Sequence, residues 1–384
     1  MPSRSSIIAT RRLVDIMSIP ARVLMVDSEE TWRGGEAQLE LLMKGLGDAG
    51  CSPALASPPG SRIGERAKQL GVPTFDVPIA GSADLMGAWR LRRLCRRESF
   101  DIIHSHSSHA HGVAFLATVG LRSRPKLLVS RRVDFAVGSN RFSALKYRRG
   151  ADVYLAISTG VRDVLIACGI ERERIKLVPS GIDLGKFDRM NETSYLKKEF
   201  SLEKAEWIVG NVAALAPHKS QVDFIEAAAI VDKKMSGIKF LIVGEGELRR
   251  SLERKAQEVG MTEKIIFTGF RNDVLEILST FDCFVLSSRL EGLCTSIMDA
   301  QAIGVPVVAT NTGGIPDLIE DGETGLLVPP GERVELAQAM IRMLSDPQLR
   351  ERCVGLAKKK SKQYDYENTV KKTIEVYREV LSGS

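Results

Sequence analysis

Four groups of residues in this chain have types and spacings that could do chemistry. The first, Trp32-Arg33-Gly34-Gly35-Glu36, lies between an apolar strand-like run at 23–26 and a helical pattern starting at Ala37. Paired glycines at a strand-to-helix turn let backbone approach a ligand, and free N–H groups at a helix start suit an anion; a tight loop that simply needs glycine is the plainer alternative. The second is His104, His106, His109 and His111, four of the five histidines, at the end of another strand-like run. Zinc is the tempting reading, but no Cys, Asp or Glu supplements the segment. One imidazole at the strand end, hydrogen-bonded to a substrate hydroxyl, with the others capping or on the surface, is the expectation. Third, Arg131 and Arg132 follow a strand and could aim two guanidiniums at phosphate or carboxylate; a solvated pair is the alternative.

The fourth group runs from Ser287 to Leu318. A strand ends at Leu286, a loop carries Glu291 and Gly292, a helix begins near Thr295, and Asp299 comes eight residues after Glu291. The helix start suits an anion such as a diphosphate, and the two acids can accept hydrogen bonds from sugar and ribose hydroxyls. An ordinary helix with acids near its N-terminus is the bland reading.

Elements must hold these groups in place. β-branched and apolar runs alternate with helical patterns, the mark of βαβ units and parallel sheets. Strands are expected at 23–26, 53–56, 102–104, 127–130, 153–157 and 175–178, then at 207–213, 240–243, 265–268, 283–286 and 306–309. Helices fall between them, among them 37–48, 85–98, 220–234, 247–259, 271–278 and 295–303. The rhythm breaks in the turn-rich, charged stretch between Pro179 and Glu206. Expected domains are therefore 1–186 and 187–365, followed by a terminal helix in 366–384 whose apolar face is Val370, Ile374, Tyr377 and Leu381, free to pack back on the first domain. Two doubly wound α/β domains in tandem place a ligand at the carboxyl ends of the strands, in a cleft between the halves.

Composition excludes several classes. With 384 residues, 44% hydrophobic and 27% charged, the chain is neither a disordered tail nor a disulfide-stapled mini-domain. Six scattered cysteines form no C-x-x-C pair, and no apolar run is long enough to span a bilayer, so a reducing cytoplasm is the default. The Arg- and Ser-bearing start reads as an N-terminal arm or an over-extended start rather than a targeting peptide. Asn191-Glu192-Thr193 matches a glycosylation acceptor but reads as chance without a secretory signal. The net charge of +6 hides a split at residue 190: 29 basic and 19 acidic residues before it, 25 and 29 after it. That favours an anionic partner for the first half. The run Arg90 to Arg97 is a basic face at helical spacing, either solvated or against a lipid surface. Nucleic acid is not expected, because stacking aromatics are not interleaved with the basic residues.

Together these motifs, in this order, resemble the retaining glycosyltransferases of the GT-B fold, and more narrowly family four, a large bacterial group active in lipopolysaccharide, lipid-linked and exopolysaccharide synthesis. The resemblance runs from about Arg22 to the last helix. It implies α/β architecture with two Rossmann-like domains facing a cleft, an acceptor on the first and a nucleoside-diphosphate sugar on the second. It also assigns roles. Gly34 and Gly35 would lie beside the donor diphosphate, and His106 near the transferred sugar. Glu291 would contact the donor sugar, Asp299 the ribose, and Lys219 the phosphates. Gly244, Gly246, Gly292 and Thr295 would surround the donor, with Gly269-Phe270-Arg271 as a further nucleotide loop. His106, Lys219 and Glu291 are the implied catalytic residues, and Arg131 and Arg132 candidates for the acceptor or a phosphate.

Two departures stand out. Asp299 replaces the family's usual Glu and is one methylene shorter, and Ala214 occupies the place of an arginine that normally joins the lysine on the phosphates. A missing cation there removes charge stabilisation often worth roughly 3 kcal/mol, for which Arg131, Arg132, His218 and Arg289 are possible replacements. No Asp-x-Asp occurs in the chain, in keeping with a metal-independent enzyme without a cofactor. The expected activity is transfer of a hexosyl group to an acceptor hydroxyl with retention, in cell-surface polysaccharide, lipopolysaccharide or glycolipid synthesis. Its expected setting is the cytoplasm, with peripheral contact on the inner face of the membrane. A nucleotide-sugar 2-epimerase on the same fold, or a catalytically weak glycan-binding protein, are the rivals.

Overall fold

The computed structural model describes residues 20–135 and 141–383. The N-terminal arm lies outside them. The described chain divides into two compact units, one containing the residues up to Gly181 and from Tyr366 onward, the other Ile182–Asp365. The division falls ahead of the 186/187 junction expected from composition because Ile182 pairs with Asp365, and its N–H donates to the Tyr364 carbonyl at 2.7 Å.

The first unit holds a parallel sheet of seven strands: β1 (Arg22–Val26), β2 (Ser52–Ser57), β3 (Thr74–Asp76), β4 (Ile102–Ser105), β5 (Lys126–Arg131), β6 (Val153–Ala156) and β7 (Ile175–Leu177). Their order is 3-2-1-4-5-6-7. Such strands are covered on both faces by helices and so read as continuous apolar runs, which makes them visible in the sequence. β3 is half-buried at the edge and carries no such run, and it was not expected. The core gathers Met25, Leu39, Met43, Leu55, Ile102 and Leu128 with Ile374 and Tyr377 of the last helix, Tyr366–Ser382. That helix lies on the helix Gly34–Asp48 so closely that a β-carbon built on Gly45 would come within 2.4 Å of Val370.

The second unit has six parallel strands: β8 (Trp207–Val212), β9 (Ile238–Val243), β10 (Ile265–Gly269), β11 (Cys283–Leu286), β12 (Val307–Thr310) and β13 (Leu326–Val328). They lie in the order 10-9-8-11-12-13. Phe224, Phe240, Ile242, Val285, Met340 and Met343 centre its core. In each sheet the order reverses direction once, between β1 and β4 and between β8 and β11. At such a reversal the connections leave for opposite faces of the sheet, and the carboxyl ends of the two strands beside it are where open α/β sheets take ligands.

Candidate active site

In the second unit the chain after β8 forms a short turn, Pro217–Lys219, while the chain after β11 carries Glu291. Lys219 Nζ and the Glu291 carboxylate meet as an ion pair, and the same carboxylate accepts from Ser288 Oγ at 3.2 Å. Both strand ends are braced. Ser287 Oγ donates to the carbonyls of Lys219 and Ser220 at 3.1 and 3.0 Å, and the Arg289 N–H donates to the His218 carbonyl at 2.8 Å. From β12, Thr310 Oγ1 donates to Ser288 and the Gly314 N–H to the Glu291 carbonyl. The second glycine pair, Gly313-Gly314, thus holds the acid's backbone. Ser220 takes a left-handed φ of 48° at the start of the helix Gln221–Asp232. Left-handed backbone is costly for a residue with a side chain, so the surrounding hydrogen bonds must over-determine it.

Thr295 opens the helix Thr295–Ile303, with no side chain capping its first N–H groups. Asp299 sits in that helix with a mostly buried carboxylate, 14% exposed, that Lys186 Nζ approaches at 2.6 Å. Burial pushes this carboxyl above its usual range, against the pull of Lys186. Lys186 was not singled out from the sequence, since it lies in a turn with no periodicity to mark it. Gly292 is buried in the loop ahead of the helix. Gly244 and Gly246 owe their identity to the chain itself: β-carbons built there would fall 2.1 Å from the Ala213 carbonyl oxygen and 2.3 Å from that of Leu215. Arg289 donates from Nε to Ser220 Oγ at 3.1 Å and pairs with Asp223 at 3.2 Å, remaining half exposed beside Lys219's turn.

In the first unit the ends of β1, β4 and β5 bring Asp27, His106 and Arg132 together. His106 Nδ1 lies 3.3 Å from Arg132 Nη2, and its Nε2 lies 3.2 Å from Met25 Sδ. A guanidinium has no acceptor, so Nδ1 must accept and the imidazole proton belongs on Nε2. Burial, then His104 and Arg132, hold His106 neutral, well below its ordinary range. Both ring nitrogens therefore face protein groups, a different placement from the substrate-facing imidazole expected. Burial pushes Arg132 down to about 10, with Asp27 and Glu36 pulling it back, so it stays cationic at neutral pH. Asp27, 2% exposed, is pushed up to about 6 by burial and by Glu36. Asp27 Oδ2 and Arg132 Nε are buried without a hydrogen-bond partner among the described residues. The one sequence signal for Asp27 was a lone acid ending an apolar run.

Gly34 and Gly35 begin the helix above this group, and the Glu36 carboxylate caps it through the Arg33 N–H at 2.7 Å. A β-carbon on Gly34 would meet nothing within 4 Å, and one on Gly35 only Arg132 Cδ at 3.8 Å. Neither glycine is required by the chain's own packing, unlike Gly244 and Gly246. Arg131 and Arg132 part company. Arg131 spends its fork inside the chain, on the Val133 and Phe135 carbonyls and the Tyr147 hydroxyl at 3.0, 2.5 and 2.6 Å. The other histidines also separate: His109 is exposed, whereas His111 packs in the core against Tyr147 and Tyr154 instead of capping a helix or lying on the surface.

His104 is buried as well. Its Nδ1 meets Tyr377 Oη of the last helix at 2.8 Å, its Nε2 meets Ser130 Oγ at 2.9 Å, and its ring lies 4.2 Å from that of His106. Replacing Tyr377 with Phe leaves one buried imidazole nitrogen unpaired, for a loss of roughly 1–3 kcal/mol. A lowered denaturant midpoint is the expected result; an unchanged one would show that this contact carries no stability.

Two Rossmann-like domains, each with a switch point at its strand ends, are the architecture of the GT-B class. Sequence models agree: the one described as Glycosyltransferase Family 4 matches residues 32–186, and the one described as Glycosyl transferases group 1 matches 194–360. The chain belongs to the family-four type of GT-B glycosyltransferases. It is 27% identical over 289 residues to the UDP-Gal:alpha-D-GlcNAc-diphosphoundecaprenol alpha-1,3-galactosyltransferase of Escherichia coli, covering 72% of this chain and 74% of that one. It is 28% identical over 306 residues to the N-acetyl-alpha-D-glucosaminyl L-malate synthase of Bacillus anthracis, covering 78% and 80%. Among solved structures, Anabaena HepE in complex with UDP-glucose superposes with a TM-score of 0.80 at 22% identity, over 95% of this chain and all of that one.

Proposed function

We propose that this glycosyltransferase moves a hexosyl group from a nucleoside-diphosphate sugar to an acceptor hydroxyl with retention of the anomeric configuration, in the synthesis of a cell-surface polysaccharide, lipopolysaccharide or glycolipid. The observation that carries the reading is the Lys219–Glu291 pair at the switch point of the second sheet. Departure of a nucleoside diphosphate develops negative charge, which a lysine, uncapped N–H groups at Thr295 and loop amides offset where it forms. Glu291 accepts from the donor sugar, Asp299 with Lys186 receives the ribose, and the Gly244–Gly246 loop borders the nucleotide. The Gly34–Gly35 loop serves the reacting sugar, the neutral His106 positions Arg132 through its Nδ1, and the basic first domain takes the acceptor, with Arg132 near it. The relatives support this in kind: the Escherichia coli enzyme's name specifies a sugar on diphosphoundecaprenol, and HepE was solved with UDP-glucose.

No metal or cofactor takes part in this reading, because the chain supplies its own positive charge. Purified protein incubated with a panel of nucleotide sugars should release nucleoside diphosphate from one of them, with or without EDTA. Release of an isomerised nucleotide sugar instead would make the protein a 2-epimerase. Turnover abolished by EDTA would overturn the metal-free reading, and an inverted anomeric centre in the product would overturn retention.

A further inference from the structure

The helix Leu85–Glu98 buries only one stripe, Gly87, Ala88, Leu91, Leu94 and Cys95. Its outward side begins with Leu85, Met86 and Trp89, which are 74%, 56% and 55% exposed. Scattered exposed apolar residues are ordinary, but three large ones at positions i, i+1 and i+4 form one patch on one helix end. The same outward side continues into Arg90, Arg93, Arg96 and Arg97, all exposed, with Arg93 lying 5.8 Å over the Trp89 ring. Glu98 is the helix's one acid, and Arg97 and Arg22 pair with it at 3.0 and 3.4 Å. Asp84, at the start, is the cap, its carboxylate engaged by the Ala80 and Gly87 N–H groups at 3.0 and 2.9 Å. Nearby, Arg92 donates to the carbonyls of Ala117 and Val119, tying the helix to a further exposed apolar residue, Val119, and the exposed Arg122 beyond it.

We propose that this face docks on an anionic lipid bilayer, with Leu85, Met86 and Trp89 entering the headgroup boundary and the arginines on lipid phosphates. Charge complementarity names the occupant. Large apolar side chains and a guanidinium row on one helix fit a surface that is apolar below and negative above, where Trp settles at the interface and each basic residue adds attraction. A protein groove would satisfy the apolar patch without needing the arginines, and a polyanion would satisfy the arginines without the patch. The proposal gives the acceptor side of the proposed function a physical location, and it depends on that function only in this respect.

The test is co-sedimentation of the full chain with phosphatidylcholine vesicles, pure or carrying roughly a quarter phosphatidylglycerol. Binding should require phosphatidylglycerol and weaken by about tenfold or more as salt rises toward 1 M. The variant Leu85→Ser/Met86→Ser/Trp89→Ser should lose binding with its melting temperature unchanged, and Arg90→Glu/Arg93→Glu/Arg96→Glu should weaken it by about 100-fold or more. Quenching of tryptophan fluorescence by brominated lipid should vanish in Trp89→Phe while sedimentation persists. Absence of sedimentation with anionic vesicles would overturn the proposal. So would wild-type binding by both triple variants, retained binding by the serine variant alone, or a shift from dimer to monomer in that variant with vesicle binding unaltered. Donor turnover assayed without vesicles separates the two readings: turnover without vesicle binding removes only the docking surface, and vesicle binding without turnover removes only the proposed activity.

Discussion

Lys219→Ala is expected to lower turnover by roughly 10²- to 10³-fold, because the cation proposed to face the leaving diphosphate disappears while the backbone around it survives. The substitution has a second consequence. Lys219 and Glu291 are 16% and 10% exposed, so removing the lysine takes the cation from a nearly buried carboxylate that keeps its bond from Ser288 Oγ. The stability cost should be at most about 3 kcal/mol, the low end for a broken buried pair. The two effects separate in the double variant Lys219→Ala/Glu291→Ala, which should regain stability without regaining activity. Lys219→Arg should keep the charge and part of the rate. Nucleoside diphosphate should raise the melting temperature of wild type and not of Lys219→Ala. Wild-type turnover in the double variant would show that the pair is a structural brace and that the chemistry lies elsewhere.

Acidification from pH 7 to 5 should destabilise the first unit by about 3 kcal/mol or more, a large share of a domain's usual net stability. His104 and His111 are buried and depressed from an ordinary 6.5 to about 3, by burial first and then by Arg132 beside His104 and by Lys146 beside His111. A depressed histidine contributes stability that is fully present above 6.5 and is lost as pH falls toward 3, since only the unfolded state takes up the proton. At pH 5 that is roughly 2 kcal/mol for each of the two. His106 is shifted in the same direction and adds to the loss. Asp27 works against them. Raised from 3.8 to about 6, it regains its proton in the folded state first, which returns about 1.3 kcal/mol over the same interval. Denaturant melts at pH 7, 6 and 5 should therefore show a falling midpoint, with a steeper fall in Asp27→Asn. A pH-independent midpoint would mean that these imidazoles are hydrated and titrate normally.

Much of this was legible in the amino-acid order. Strands such as Cys283–Leu286 were visible because both faces are buried, leaving an unbroken apolar run. The short edge strands Thr74–Asp76 and Leu326–Val328 were not, because three residues at a sheet edge carry too little pattern to rise above a loop. Glu291, Gly292, Thr295 and Asp299 were found together because they are neighbours in sequence on one strand, loop and helix. Lys219 was tied to Glu291 only by resemblance, being 72 residues away. The histidine run shows the opposite limit. Four imidazoles within eight residues look like one site, yet one is exposed, one is packed on Tyr147 and Tyr154, and two lie against each other beside Arg132.

The order of residues was enough to determine that this chain forms parallel α/β sheets in two parts and places acids and glycines at strand ends, since those features depend on local periodicity and on the residue types just past each apolar run. Tertiary structure alone decided which of two adjacent arginines is used up internally, that Lys186 sits on Asp299, and that Tyr377 from the last helix reaches His104 across 273 residues of chain. The physical reason is one of range. Periodicity reports which face of an element is buried, whereas hydrogen-bond partners and pKa values are set by side chains that only the crossover connections of the sheet bring within a few ångströms.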